Sequence, residues 1–362
     1  WAAFVTSGDV TNPLVSTAWA TLPDLQAKID AAADNATITL DSNTEIAATL
    51  QITKNLTLDL NGCTLRMTGT GSVLKVSGRA TLTITDSSAA KSGTITGGNA
   101  EYGGGVYVDD YAALKMTGGC ITGCHASRGG GGIYSSGNLY MGGTAKIEKC
   151  TGSDDAIWNR ENSDIYADGG TVDGTVNNQG TIKRSEGAAA VTVFNGTVYN
   201  RSAGTIIAGI YNGTVENNGT ISGGTFCGGV TIRKGSWVWE RTGSISGGTF
   251  YSSIVNEAGP ERVTGVTFAV TFDRGDGTKT EPTPVKYNDL VPKPTAPTKS
   301  GYTFTGWEDA NGAYDFNTPV TGPLTLTARW EEVPSSGGYY YYPTTDTKAD
   351  DAKGSPKTAD PG

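Results

Sequence analysis

Three stretches decide the fold: GTITGG (93–98), GCITGC (119–124) and TAKIEKC (144–150). Aligned on Ile95, Ile121 and Ile147, they recur at 26-residue intervals. A second column keeps step with them: GGGVYV (103–108), GGGIYS (130–135) and, more weakly, AIW (156–158). A third pairs ALKM (113–116) with NLYM (138–141). The pattern continues in GTVNNQGTI (174–182), GTVYNRSAGTI (196–206) and GTVENNGTI (213–221), and ISGGTF stands at both 221–226 and 245–250. A period of roughly 22–26 residues, with three short β-type segments separated by Gly and Asn, describes a parallel β-helix. Each coil adds one strand to each of three sheets. One coil cannot bury its apolar face, but a stack buries a continuous core. The alternation in Leu114-Lys115-Met116 and Leu139-Tyr140-Met141 points side chains in, out, in. A leucine-rich repeat would need L-x-x-L-x-L-x-x-N, which the chain lacks. Residues 36–268 hold about nine or ten coils, and at roughly 4.8 Å per coil that is a rod of about 45 Å.

Composition agrees. The 362 residues include 52 glycines, about twice average usage. Gly and Asn supply the positive φ of tight turns, and Thr suits strands. The formal net charge is -9. No basic stripe offers itself to phosphates, so a nucleic-acid partner is not expected. No run of eighteen apolar residues exists to span a membrane. The chain begins at Trp1 without a charged and apolar leader, and reads as a mature or trimmed ectodomain. Five cysteines (Cys63, Cys120, Cys124, Cys150 and Cys227) are too few, and odd in number, for a disulfide-built scaffold.

The stretch 16–40 reads as an amphipathic helix running into a strand, with Leu22, Leu25, Ile29 and Ala32 on one face. Thr21 is its candidate N-cap and Pro23 lies in its first turn. Residues 1–35 thus form an N-terminal segment whose helix caps the open end of the stack. LTLDLNGCTL (56–65) and ATLTITDSS (80–88) begin the coils. The stretch 16–268 resembles the capped end and coils of right-handed β-helix proteins of the pectate-lyase-like superfamily. That resemblance implies a fold and says little about function.

After Phe268 prolines appear at spacings no coil tolerates. VTFD (270–273), GYTFTGW (301–307) and YDFNTPVTGPLTLTARW (314–330), with PKPTAPTKSGY between them, are similar to the internalin-type B repeat, the Listeria-Bacteroides repeat. The resemblance covers residues 269–332. It implies a small β-grasp unit of the kind found as a spacer in wall-attached proteins, some of which contact host surfaces. Phe304, Trp307, Tyr314, Phe316 and Trp330 are the aromatics of its core. Residues 333–362 have no apolar periodicity and read as a disordered, wall-spanning tail. Within it Ser355, Pro356, Lys357 and Thr358 are similar to sortase sorting motifs, with Ala359 where those carry Gly. The resemblance implies sortase and cell-wall peptidoglycan as partners, and membrane contact only through an apolar segment beyond Gly362.

Residues with chemistry are sparse. Asp109–Asp110 and Asp154–Asp155 are acidic pairs, but neighbours on a strand point to opposite faces. Neither pair alone gives the two facing carboxylates of a glycosidase. The single histidine, His125, has no accompanying motif, and Arg233 and Lys234 are adjacent rather than spaced to share a face. Cys120, Cys124, His125 and Cys150 are poorly spaced for zinc, so neither metal nor cofactor is expected. Cys124 and Cys150 stand one period apart, within reach of a disulfide or a pair of stacked thiols. Asn178, Asn200 and Asn217 align across coils as a hydrogen-bonded ladder. Arg274-Gly275-Asp276 is an integrin-type RGD, or simply an Asp-Gly turn beside an arginine. Trp237 and Trp239 face one side of SWVWERTG (236–243). Facing out, they are a stacking platform for sugar or protein; facing in, they are core.

The sequence therefore reads as an all-β extracellular protein of a Gram-positive cell wall: a non-catalytic adhesin or display protein. Its β-helix rod would bind an unidentified glycan or protein of a host or neighbouring cell. A wall-attached polysaccharide lyase or hydrolase, or a glycan-binding module, is the alternative, followed by a structural stalk with no specific ligand.

Overall fold

The computed structural model describes residues 25–152, 155–235 and 242–334. Apart from the helix Leu25–Ala31 and a 3-10 turn at Pro260–Arg262, the described elements are strands. Ten of them, from Leu50–Ile52 to Ile254–Asn256, form one parallel sheet in which each pairs with the next. Each strand of that sheet belongs to a different coil, so the described body has ten coils. An eighteen-stranded parallel sheet supplies the other faces. In two coils, its two segments run together as single long strands, Asn138–Glu148 and Asp164–Asp173.

Register explains the core. Ile95 pairs with Ile121 and Ile121 with Ile147, so each isoleucine lies over the one a coil away. All three are fully buried. Full burial of one such side chain stabilises by about 1.5–3 kcal/mol. The expected period holds only in part: Leu74 pairs with Val106, but Val215 pairs with Val230, so coils run from 32 down to 15 residues. The difference is taken up in turns and excursions. The excursions of two successive coils form a separate parallel pair, Asn99–Tyr102 with His125–Gly129.

Two internal stacks reinforce the apolar core. Phe194, Tyr211, Phe226 and Phe250 lie ring on ring, with centroids 5.0, 4.9 and 4.7 Å apart and planes within 9° of parallel. The buried Tyr211 hydroxyl donates to the Ala208 carbonyl at 2.6 Å. Beside them runs the asparagine ladder, one rung longer than expected. Asn159 Nδ2 donates to Asn178 Oδ1 (2.8 Å), Asn178 to Asn200 (2.8 Å) and Asn200 to Asn217 (2.7 Å). All four residues are fully buried.

At one end the helix Leu25–Ala31 buries Leu25 and Ile29, and Gln26 exchanges two hydrogen bonds with the backbone of Gln51. Thr21, Leu22 and Pro23 lie outside the described residues. At the other end stands a five-stranded mixed sheet. Thr267–Asp273 is antiparallel to Thr283–Lys286 and parallel to Leu324–Glu332, which in turn is antiparallel to Tyr302–Asp309. Trp307 is buried between Phe272 and Phe304, with Trp330 against Phe304. This unit joins the last coil directly. The Ile254 N–H donates to the Thr321 carbonyl at 2.8 Å, and Val263, Val266 and Phe268 continue the core across the junction.

Two buried polar groups make stability predictions. Asn178→Ala removes a rung with one neighbour on each side, and is expected to cost about 1–3 kcal/mol by urea denaturation, with the fold retained. Asp86 is 3% exposed and accepts from the N–H groups of Gly62 (2.8 Å), Ser88 (3.1 Å) and Gly93 (2.6 Å). Burial opposes its charge, but hydrogen bonds from Ser88, Gly93 and Gly62 outweigh burial and hold its carboxyl below the usual carboxylate range. That stabilisation is complete above the unfolded pKa of about 3.9 and is lost as pH falls through the folded value. Asp86→Asn should therefore be less stable at neutral pH and lose less on acidification below about pH 4, as followed by circular dichroism.

Candidate functional site

The described body has one edge unlike the rest. Each strand of the ten-stranded sheet ends in an inward side chain, and in the middle coils this is polar: Ser135, Asn159, Asn178, Asn200, Asn217. Between Val108 and Thr220 the chain then turns toward the next strand by either four residues or two. Four-residue turns occupy 109–112, 160–163 and 201–204. Two-residue turns occupy 136–137, 179–180 and 218–219. Long and short alternate from 109 to 219; before that stretch, the four-residue turn 77–80 is followed directly by the long turn 109–112. The long turns close on themselves: the Ala112, Ser163 and Gly204 N–H groups donate to the Asp109, Arg160 and Arg201 carbonyls. The short turns need glycine, because a Cβ on Gly137 would lie 2.0 Å from the Ala112 carbonyl oxygen, and one on Gly180 would lie 1.9 Å from that of Ser163.

Alternation corrugates the edge. Over the short turn Ser136–Gly137 lies an open cleft of about 480 Å³, walled by Asp110 and Tyr111 on one side and Arg160, Glu161 and Asn162 on the other. Over Gln179–Gly180 lies a second, of about 420 Å³, between Glu161–Asn162 and Ser202–Ala203. The ladder lies directly beneath. Ser135 Oγ donates to the Gly137 carbonyl (2.8 Å), Asn159 to that of Ser163 (3.2 Å), Asn178 to that of Gly180 (3.0 Å) and Asn200 to that of Gly204 (3.3 Å). The interior amides therefore fix the backbone that forms the clefts.

The outer face of the same sheet carries an aromatic column. Tyr107 and Tyr134 stack with centroids 5.0 Å apart, Tyr134 lies 6.3 Å from Trp158, and Tyr102 from the excursion lies 4.8 Å from Tyr134. Tyr134 is only 8% exposed, and Trp158 packs so closely on Gly129 that a Cβ there would overlap its ring. The column is a satellite core that holds the Asn99–Tyr102 and His125–Gly129 strands on the body. Tyr140 and Tyr166 form a second outer stack at 4.2 Å, with the Lys183 ammonium 4.9 Å from the Tyr166 ring.

The residues chosen from the sequence are scattered. Ser355 to Ala359, Trp237, Trp239 and Asp154 lie outside the described residues. Asp109 faces Lys75 at 3.8 Å, while Asp155 is buried and accepts from Asn177 Nδ2. The exposed His125 ring meets the Thr151 hydroxyl at 3.1 Å. Arg233 bridges Glu216 and Glu257. Cys124 and Cys150 lie one coil apart, as the spacing implied, and both are free. The buried Cys124 thiol is pushed up by its hydrogen bond to Cys150 and by burial, while that bond draws Cys150 down. Burial pushes Cys120 up to about 11. Arg274, Gly275 and Asp276 form an exposed hairpin tip. The Trp330 Nε1–H donates to the Arg274 carbonyl (2.9 Å), and Asp276 accepts from both the N–H and hydroxyl of Thr278.

Reading the sequence by column missed the edge. Its signal stood between the columns: DDYA separates GGGVYV from ALKM, but only SG separates GGGIYS from NLYM. The columns follow the strands, and the alternation lies in the turns.

Comparison with known proteins covers the terminal sheet most directly. Residues 268–329 match the Listeria-Bacteroides repeat domain, a repeat typical of surface proteins. Over 68 residues the chain is 34% identical to a Gly-rich membrane protein of Evansella cellulosilytica. That stretch is 18% of this chain and 8% of the relative's length. No solved structure matches.

Proposed function

We propose that this chain is a non-catalytic adhesion or display protein of a bacterial cell surface. The coiled body is its binding element, the 268–329 repeat is its spacer, and the tail carrying Ser355–Ala359 is the segment a sortase would join to peptidoglycan. The observation that carries this reading is the union, in one chain, of a rigid stacked body with a Listeria-Bacteroides repeat. A parallel stack whose inner polar groups bond to one another presents turns at fixed positions, which suits repeated contacts with an extended partner.

The placement of the acidic residues favours binding over turnover. Asp109 and Asp110 stand at a turn on one edge, and Asp155 is buried against Asn177, so these three acids do not converge as a facing pair.

The test has two arms. Protease treatment of intact cells expressing the full-length protein should release the body. The purified chain, applied to a glycan array and assayed for reducing sugar and unsaturated products, should bind without turnover. Turnover would make it an enzyme, and neither binding nor turnover would make it a stalk.

A further inference from the structure

Tyr111 is out of place in two ways. Its backbone is left-handed, with φ of 63°, a conformation disfavoured for residues with a Cβ other than Asn and Asp. Arg79 and Asn162 hold the equivalent third positions of their turns, with φ of 65° and 64°. Glycine or asparagine would relieve the backbone there. The Tyr111 side chain is also 83% exposed, more than any other large hydrophobic among the described residues. The Arg79 guanidinium lies 5.7 Å from the centroid of the Tyr111 ring, a single contact that leaves most of the ring open to solvent. An observed strain at a surface site is a reason to look for function, and this one stands at the mouth of the first cleft.

We propose that the corrugated edge binds an extended, uncharged glycan laid along the stacking axis, with Tyr111 as the platform for one sugar ring. This rests on the reading of the body as a binding element, and gives that element a place and a ligand class. Three features point to a sugar chain. The clefts recur every second coil, roughly 9.6 Å apart, a step comparable to two linked hexoses in an extended chain. Their lining includes the hydroxyls and amides of Ser136, Asn138, Asn162, Gln179, Thr181 and Ser202. Such groups both donate and accept, as sugar hydroxyls do. The charged residues Asp110, Arg160 and Glu161 are of mixed sign and give no positive field for a polyanion. A peptide would instead seek a free strand edge or an apolar groove, and these turns offer neither. The ladder beneath keeps the cleft floor in place before the ligand arrives, which limits the ordering cost of binding.

The probes are linear β-1,4-linked oligomers of glucose, mannose and N-acetylglucosamine, from disaccharide to hexasaccharide, titrated calorimetrically into the full chain. In at least one series the hexasaccharide, which spans both clefts, should bind tenfold or more tighter than the disaccharide. Tyr111→Gly should weaken the hexasaccharide at least tenfold while leaving the melting temperature unchanged or higher, since glycine relieves the turn. That pairing separates a lost contact from a lost fold. Glu161→Ala, in the wall shared by the two clefts, should reduce the length dependence. Any one of three results overturns the proposal: no binding in any series, affinity independent of length, or wild-type affinity in Tyr111→Gly. If the array shows ligand binding that Tyr111→Gly leaves intact, the body remains a binding element and only this site is wrong. Binding of unstructured peptides without oligosaccharide binding would likewise refute the glycan assignment.

Discussion

In-register parallel stacking is the constraint on which the structure depends. Each inner side chain lies over its counterpart one coil away, so each column must be filled by residues that pack well on themselves. Ile95, Ile121 and Ile147 do so by apolar contact. Phe194, Tyr211, Phe226 and Phe250 do so ring on ring. Asparagine is the polar solution, because one amide carries both a donor and an acceptor and so continues a chain of identical bonds. A carboxylate in that column could accept but not donate, and successive charges would repel. Asn159, Asn178 and Asn200 each donate onward to the next amide, and Asn217 ends the ladder on the Ser244 carbonyl.

With the interior fixed, variation is left to the turns. A coil of 15 residues and one of 32 present the same strands to the stack because the difference leaves the body as loop or excursion. Two consequences appear on the surface. The longest excursions pair with each other and need their own small core, which the Tyr102, Tyr107, Tyr134 and Trp158 cluster supplies. The shorter variation, four residues against two, corrugates one edge and forms its clefts. The ladder connects interior and edge, since its spare N–H groups hold the turn carbonyls.

The terminal unit follows a different logic. It is a mixed sheet around Phe272, Phe304 and Trp307, and its contact with the last coil continues the stack's core instead of hanging from a linker. Its first hairpin is tied down from outside, by the Trp330 indole on the Arg274 carbonyl. The Arg274–Asp276 turn is therefore an exposed but braced feature, held by a side chain 56 residues further along the chain.

The stacked strands, the asparagine ladder and the change of strand pattern near Phe268 were legible in the sequence because each depends on a local period or composition. Repeats at 26 residues state which side chains stack, and identical side chains state what holds them. The clefts were not legible in the same way. DDYA and SG are unremarkable turns when read singly, and become a cleft only when the long turns of two coils stand on either side of a short one. The outer aromatics were equally hidden, since Tyr102 reaches Tyr134 only after the excursion folds back. Sequence determined what repeats, because stacking forces like onto like. Tertiary structure decided what the differences between repeats build, because those differences acquire a shape only when neighbouring coils are in place.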